Sequence, residues 1–329
     1  MRQCGFIDLQ VNGYSGIDFS DPATQVDQIL DAAEILAANG TAGFLATITT
    51  RPRETIETCI QTVAGAIKRQ GKHKRVLGIH LEGPFISPEY GYRGAHQPDA
   101  ICAPDLPWFR RVQKLAEGNI RVVTLAPEHE NAIDFIRGIA PEVIVSAGHT
   151  NCSFDQLRRA ISGGLTMATH VGNGCRQTID RHSNPIVNLL ACSELTLCFI
   201  CDGFHLPEAF IRMIVNSRLV GKLIVVSDAV KFAGMTPGRY ATSLGSEVVL
   251  SPEGRLSLAS DPEIMAGSSS NMIRCMNHLS SLGLLSEEEL WQVGCFNPLR
   301  ILGTTLADPS RGGGRVGYDP SLRQFELLE

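Results

Sequence analysis

Eight short runs of apolar, largely β-branched residues recur along this chain, separated by stretches with helical spacing. The runs are GFIDLQV (5–11), TAGFLATIT (41–49), RVLGIHL (75–81), NIRVVTLA (119–126), EVIVSAG (142–148), LTMATH (165–170), ELTLCFIC (194–201) and KLIVVSD (222–228). Each is nearly continuous in its apolarity, as parallel strands buried on both faces require. Between the first two runs, Val26, Ile29, Leu30, Ala33, Leu36 and Ala37 form one helical stripe that stops at Asn39-Gly40. Ile56, Cys59, Ile60, Val63 and Ile67 form another, and similar stripes lie in 153–163 and 207–218. Strands that alternate with helices in this number predict an α/β fold of the closed (β/α)8, TIM-barrel type. An open doubly wound sheet is the rival, weakened because no G-x-G-x-x-G follows the first strand.

Two regions depart from the alternation. TSLGSEVVLSPEGRLSLAS (242–260) reads as a β-hairpin turning at Pro252-Glu253-Gly254, ahead of closing helices at 269–281 and 286–293. Beyond about residue 304 the chain turns glycine-rich at Gly312, Gly313 and Gly314, which reads as a flexible turn in a short tail. The expected organisation is a barrel over 1–303 with a tail over 304–329.

Bulk properties narrow the classes of function. With 329 residues, 43% of them hydrophobic, the chain can bury a core of the size a barrel needs. A net charge of −5 with no basic cluster argues against nucleic acid. No secretory leader or long apolar segment is evident, which predicts a cytoplasmic protein without a membrane span. The ten scattered cysteines then read as reduced, mostly buried thiols. Cys198 and Cys201 form a lone C-x-x-C that is better explained as two thiols of an apolar strand than as a redox or zinc site. The partners implied are small molecules and a second copy of the chain, as a homodimer.

In β/α barrels the active site gathers at the C-terminal ends of the strands. Polar residues fall there repeatedly: Gln10 and Asn12 after the first run, Glu82 after the third, Glu128 after the fourth and His149 after the fifth. His170 and Asn173 follow the sixth, Asp202 and His205 the seventh, and Asp228 the eighth. One such His is most simply a hydrogen-bonded packing residue, and one such Asp a helix cap. A barrel, however, brings all these ends around one pocket. Glu82, His149 and His170 then make a set of nitrogen and oxygen ligands with an open position, which suits a catalytic divalent ion, zinc first and iron or another divalent ion next.

GFIDLQVNG, HLEGPFISPEYGYRGAHQP, TLAPE, VSAGHTN, THVGNG, DGFHL, SDAV, AGSSSNM and NPLRILG occur in that order at fitting spacing. Together they resemble the N-acetylglucosamine-6-phosphate deacetylases of the amidohydrolase superfamily, over roughly residues 4–303. The resemblance implies a metal-dependent hydrolase that removes the acetyl group from N-acetylglucosamine 6-phosphate. It implies Glu82, His149 and His170 as metal ligands, Asp228 as the acid/base, and His96 of Gly94-Ala95-His96 as the residue that polarises the acetamide carbonyl. Substrate contacts are implied for Ala95, His96, Asn173, Gly174, His205, Met265, Ala266 and Gly267. Arg181 sits where the family has an arginine that reaches the phosphate, in some members from the neighbouring subunit.

The chain also departs from the pattern. Gln10-Val11-Asn12 replaces the His-x-His that holds a second metal in many amidohydrolases, so one metal per chain is expected. The motif around Arg181 reads Arg181-His182-Ser183-Asn184-Pro185 where the family has Arg, one residue, then Pro-Gly. Cys175 stands where the family often has Met and reads as a packing residue. Family members carry about fifty more residues before the first strand, which join the C-terminus in a small β-sandwich, so that domain is expected to be missing or vestigial. Competing readings are a deacetylase of another N-acetylhexosamine or its phosphate, a dihydroorotase-like hydrolase, which HLEGPF and the DG-x-H motif oppose, and an inactive sugar-phosphate-binding protein.

Overall fold

A computed structural model describes residues 5–242, 247–305 and 314–328. Its centre is one eight-stranded parallel sheet: β1 (Phe6–Val11), β2 (Thr41–Thr49), β3 (Val76–Glu82), β4 (Ile120–Leu125), β5 (Ile144–Ala147), β6 (Leu165–Ala168), β7 (Thr196–Ile200) and β8 (Leu223–Val226). The strands pair in sequence order, and a parallel bridge between Val11 and Ala229 joins the last to the first. The sheet is therefore closed, and the open doubly wound alternative is set aside. The strands are buried at most positions, Thr166 being an exposed exception, as strands covered by helices outside and filled by side chains inside must be.

The sequence overestimates the length of three strands at the end that matters. The runs 142–148, 165–170 and 222–228 were expected to be extended throughout, yet β5, β6 and β8 stop at Ala147, Ala168 and Val226. Within two to three residues of each stop comes a left-handed residue: His149 at φ 50°, His170 at φ 29° and Asp228 at φ 52°. Non-glycine residues in this region carry local strain that surrounding structure must hold, and such residues cluster at functional sites. The change of backbone direction takes each side chain out of the strand's alternation and into the barrel mouth.

Outside the strands run α1 (Val26–Ala38), α2 (Arg53–Arg69), α3 (Leu106–Leu115), α4 (Ala132–Ile139), α5 (Phe154–Gly163), α6 (Pro185–Ala191) and α7 (Glu208–Asn216). Helix α1 buries Ile29, Ala32, Ala33, Leu36 and Ala37, close to the stripe read from sequence. Helices α4 and α6 make only about two turns each, too short for a stripe to stand out. Helices α8 (Met272–Ser281), α9 (Glu287–Trp291) and α10 (Asn297–Ile301) close the ring, the last two joined by one wide π turn.

The insertion differs in detail from the expected hairpin. It is a three-stranded antiparallel sheet, β9 (Gly238–Ala241), β10 (Glu247–Leu250) and β11 (Leu256–Leu258), of which β10 and β11 form the hairpin turning at Pro252–Gly254. The extra strand lies before the segment read as hairpin; Phe232, Val248, Leu250 and Leu256 give the sheet its own small core. A bridge from Ser257 to Met265 brings the chain from this sheet back to the barrel mouth. Gly312 and Gly313 lie outside the described residues. Past them the tail is not simply a turn: β12 (Val316–Asp319) and β13 (Gln324–Leu327) form a hairpin whose Phe325 packs against Phe6 and Trp291. The nine described cysteines are free thiols, Cys198 and Cys201 among the buried ones.

Candidate active site

Glu82 ends β3, and His149 and His170 follow β5 and β6, so three strand ends of the mouth meet at one point. His170 Nε2 lies 3.0 Å from Glu82 Oε1 and 3.1 Å from His149 Nε2, and His149 Nε2 lies 3.4 Å from the same carboxylate oxygen. All three residues are buried. Burial opposes ionisation of Glu82, but the two imidazoles hold its carboxyl well below the usual carboxylate range. His149 donates its Nδ1–H to the Tyr92 carbonyl at 2.9 Å, which leaves a bare lone pair at Nε2 facing the centre. Gln10 donates to Glu82 Oε1 at 2.9 Å, acting as a support for the carboxylate. Two imidazole nitrogens and one anionic oxygen, dry and converging, fit a divalent cation. Among the described residues this is the one group of three side chains with that geometry.

Asp228 approaches from β8. Asn12 Nδ2 donates to its Oδ1 at 2.7 Å, and burial together with the charge of Glu82 pushes its carboxyl up to about 6. Just before it, both Ser227 N–H and Ser227 Oγ–H donate to buried Asp8 on β1, which pins the end of β8 to the first strand. His96 comes from the loop after β3, its ring centroid 4.5 Å from that of His149. The Thr50 N–H donates to His96 Nδ1 at 3.3 Å, so the neutral ring keeps its proton on Nε2. Burial first, and then His149, pushes this imidazole down to about 3, so it is a neutral donor at ordinary pH.

These groups share one cavity of about 410 Å³. Asn12, Ala95, His96, Asn173, Gly174, His205, Met265, Ala266 and Gly267 all line it with Glu82, His149, His170 and Asp228. The Nδ2 of Asn173 is buried without a hydrogen-bond partner among the described residues, an unmet donor in the wall. His205 is held by Asp202, whose carboxylate accepts from its Nδ1 at 2.7 Å and from its backbone N–H at 2.9 Å. Glu128 stays outside the cluster; its carboxylate accepts from Thr150 Oγ1 and from Asn151 N, steadying the loop after His149. Cys175 is half-buried and lines a small neighbouring cavity with Pro185 and Leu189, a packing position.

Arg181 is exposed and does not line the cavity. Instead the wall holds Arg51 and Lys231, together with Asp18, Thr49 and Phe232, none of which was singled out from the sequence. Arg51 stands two residues beyond the end of β2 and Lys231 three beyond Asp228, both at strand-end positions of the kind that carries the other groups. Proximity of a cation to a strand end was the signal available.

A scan against models of known protein families gives no match. Curated relatives do match. The N-acetylglucosamine-6-phosphate deacetylase of Bos taurus is 32% identical over 311 residues, covering 91% of this chain and 74% of that protein. The N-acetylgalactosamine-6-phosphate deacetylase of Escherichia coli O157:H7 is 29% identical, covering 91% and 77%. Among solved structures, the N-acetyl-D-glucosamine-6-phosphate deacetylase of Mycobacterium smegmatis superposes with a TM-score of 0.85 at 30% identity, covering 99% of this chain and 85% of that one. A variant of that enzyme, with the same TM-score and 29% identity, is solved in complex with N-acetyl-D-glucosamine-6-phosphate. The motifs, the closed barrel and these relatives agree: the chain belongs to the N-acetylglucosamine-6-phosphate deacetylase family of the amidohydrolase superfamily.

Proposed function

We propose that the protein hydrolyses the acetamide of N-acetylglucosamine 6-phosphate, releasing acetate and glucosamine 6-phosphate. The observation that carries this reading is the meeting, in one 410 Å³ cavity, of the Glu82–His149–His170 cluster with a carboxylate and a neutral imidazole donor. A divalent ion held by Glu82, His149 and His170, zinc by the chemistry of the donors, would supply Lewis acidity towards the carbonyl and the attacking water. Asp228 acts as base and takes a proton from that water as its oxygen bonds to the acetyl carbon. It then gives the proton to the sugar nitrogen as the carbon–nitrogen bond breaks. Its carboxyl, raised to about 6, is suited to both transfers near neutral pH. The Nε2–H of His96 donates to the carbonyl oxygen as negative charge develops there. Asn173 and His205 offer donors to the sugar, and the turn Met265–Gly267 packs beside it.

A second reading is favoured by one specific relative, the N-acetylgalactosamine-6-phosphate deacetylase, which matches this chain almost as well. That substrate differs at one hydroxyl, which none of the groups above distinguishes. The test is acetate release by metal-reconstituted protein from N-acetylglucosamine 6-phosphate, its galactosamine epimer and unphosphorylated N-acetylglucosamine, with metal counted per chain. Release from a phosphorylated sugar with about one ion per chain supports the reading. No release from any of them by protein carrying its metal overturns it, and about two ions per chain overturns the single-ion site.

A further inference from the structure

His80 is a buried imidazole that takes no part in the chemistry above. It lies on β3, two residues before Glu82. Its Nδ1 is 3.0 Å from the Leu9 carbonyl on β1, and its Nε2 is 2.7 Å from Thr124 Oγ1 on β4. Thr124 Oγ1 lies 2.7 Å from Thr169 Oγ1, one residue past β6, and Thr169 Oγ1 lies 2.6 Å from Ser146 Oγ on β5. His80, Thr124, Thr169 and Ser146 are all buried, so four successive strands contribute one polar side chain each to a single line inside the barrel.

The direction of every bond in that line follows from the groups. A carbonyl only accepts, so Nδ1 carries a proton and donates it to Leu9. Neither ring nitrogen faces a carboxylate, so the buried ring is neutral and Nε2 is a bare acceptor. Thr124 then gives its single proton to Nε2. It is left to accept from Thr169, which in turn accepts from Ser146. The hydroxyls therefore all point one way, from Ser146 to His80.

Thr124 is the centre of this line. Its backbone carbonyl accepts from the Gly83 N–H at 3.1 Å, and Gly83 is the residue after Glu82. Its hydroxyl joins His80 to Thr169, and Thr169 is the residue before His170. Gly148, the residue before His149, is packed on the same pair: a Cβ on it would lie 2.7 Å from Thr124 Cγ2 and 2.9 Å from Thr169 Cβ. The chain next to each of Glu82, His149 and His170 thus rests on two threonines. Both histidines are left-handed, a conformation that surrounding structure must hold. The Tyr92 carbonyl helps to set His149, but His170 Nδ1 has no hydrogen-bond partner among the described residues. Its aim falls to the backbone that carries it, where the Thr169 N–H donates to the Ala147 carbonyl at 2.9 Å.

We propose that Thr124 is a positioning residue, which through this one-way hydroxyl line holds Glu82, His149 and His170 at the spacing a metal ion needs. The proposal rests on the reading of those three residues as metal ligands. Thr124 itself touches neither the ion nor the substrate.

Cobalt(II) binding to the metal-free full chain is measured by competition with a chelator, and the visible absorption of the bound ion records its coordination geometry. T124V keeps the branched shape but leaves His80 Nε2 without a donor and the Thr169 hydroxyl without an acceptor. Its cobalt(II) affinity is expected to fall about 10–100-fold, with a shifted absorption band. T124S restores the hydroxyl and is expected to bind and absorb like the natural chain. S146A removes only the last donor of the line, so a fall of about threefold is expected. F325A loosens the packing on Phe6 at the start of β1, and should melt lower while binding cobalt(II) unaltered. If T124V melts lower but binds and absorbs like the natural chain, the hydroxyl is merely structural and the proposal is overturned. Equal loss of affinity in T124V and F325A overturns it too. Should T124V not fold, S146A decides, and unaltered affinity there overturns the proposal. If the natural chain binds no cobalt(II), the reading of the three ligands fails and the proposal with it; if it binds and the variants bind alike, the positioning role fails alone.

Discussion

At the residue scale, the proposed acid/base is Asp228. It is half-buried just past the end of an apolar strand, left-handed at φ 52°, and its Oδ1 accepts from Asn12. An asparagine there keeps that acceptor, so Asp228→Asn should preserve shape and metal while lowering kcat roughly 10²–10⁴-fold with little change in KM. A helix-capping role would survive the change, because Asn caps as well as Asp. Near-normal turnover by the metal-loaded variant would therefore remove Asp228 from the mechanism. The pH dependence has a definite sign. Burial, then the charge of Glu82, raises this carboxyl to about 6, and only its ionised form can accept a proton. kcat/KM should fall as pH drops through about 6. A divalent ion beside Glu82 offsets part of that repulsion and moves the limb to lower pH. A rate profile flat from pH 7 to 4 would count against this assignment.

At the scale of elements, the site depends on how loops approach the strand ends. The loop after β3 presents the Tyr92 carbonyl to His149 Nδ1, and the loop after β6 passes directly against the same ring. Gly174 has φ +61°, and a Cβ on it would lie 2.7 Å from His149 Nδ1. Gly174→Ala is expected to push the ring off its carbonyl partner and to lower metal affinity about 10–100-fold, the usual worth of a ligand's supporting hydrogen bond. Thermal stability of the metal-free protein should fall by only about 1–2 kcal/mol, from the strain of a Cβ at positive φ. Competition with a chelator measures the affinity. Metal retention equal to that of the natural chain would show that the approach of this loop does not set the imidazole.

At the scale of the molecule, the two ends of the barrel have separate duties. The C-terminal mouth holds every group of the proposed mechanism, while the opposite end is closed by aromatic packing. Phe6 opens β1, Trp291 ends α9, and Phe325 lies on β13 with its ring centroid 5.0 Å and 5.1 Å from theirs. Phe325 is 2% exposed, and its backbone N–H and C=O are both bonded to the Asn277 side chain. Phe325→Ala should cost on the order of 3–5 kcal/mol, as large buried rings do. A fall in melting temperature is expected, with acetate release per folded molecule retained. A variant that melts like the natural chain would mean that the hairpin contributes nothing to closing the barrel.

Much of this was legible in the sequence, for physical reasons. A strand buried on both faces must be apolar throughout, so the eight runs announced a parallel sheet and their count announced closure. The fold also compels strand-end residues to meet, which is why Glu82, His149, His170 and Asp228 could be grouped from positions far apart along the chain. The tertiary structure alone decided matters of direction and distance. Periodicity cannot show where a strand yields to a left-handed residue, so β5, β6 and β8 were read too long by the few residues that aim the chemistry. Nor can it show which of 29 lysines and arginines enters a cavity. Loop geometry leaves Arg181, the motif position, exposed outside its own chain's cavity, whose wall holds Arg51 and Lys231. Burial written along a chain follows from apolarity one residue at a time; the meeting of polar side chains depends on backbone turns that no single residue encodes.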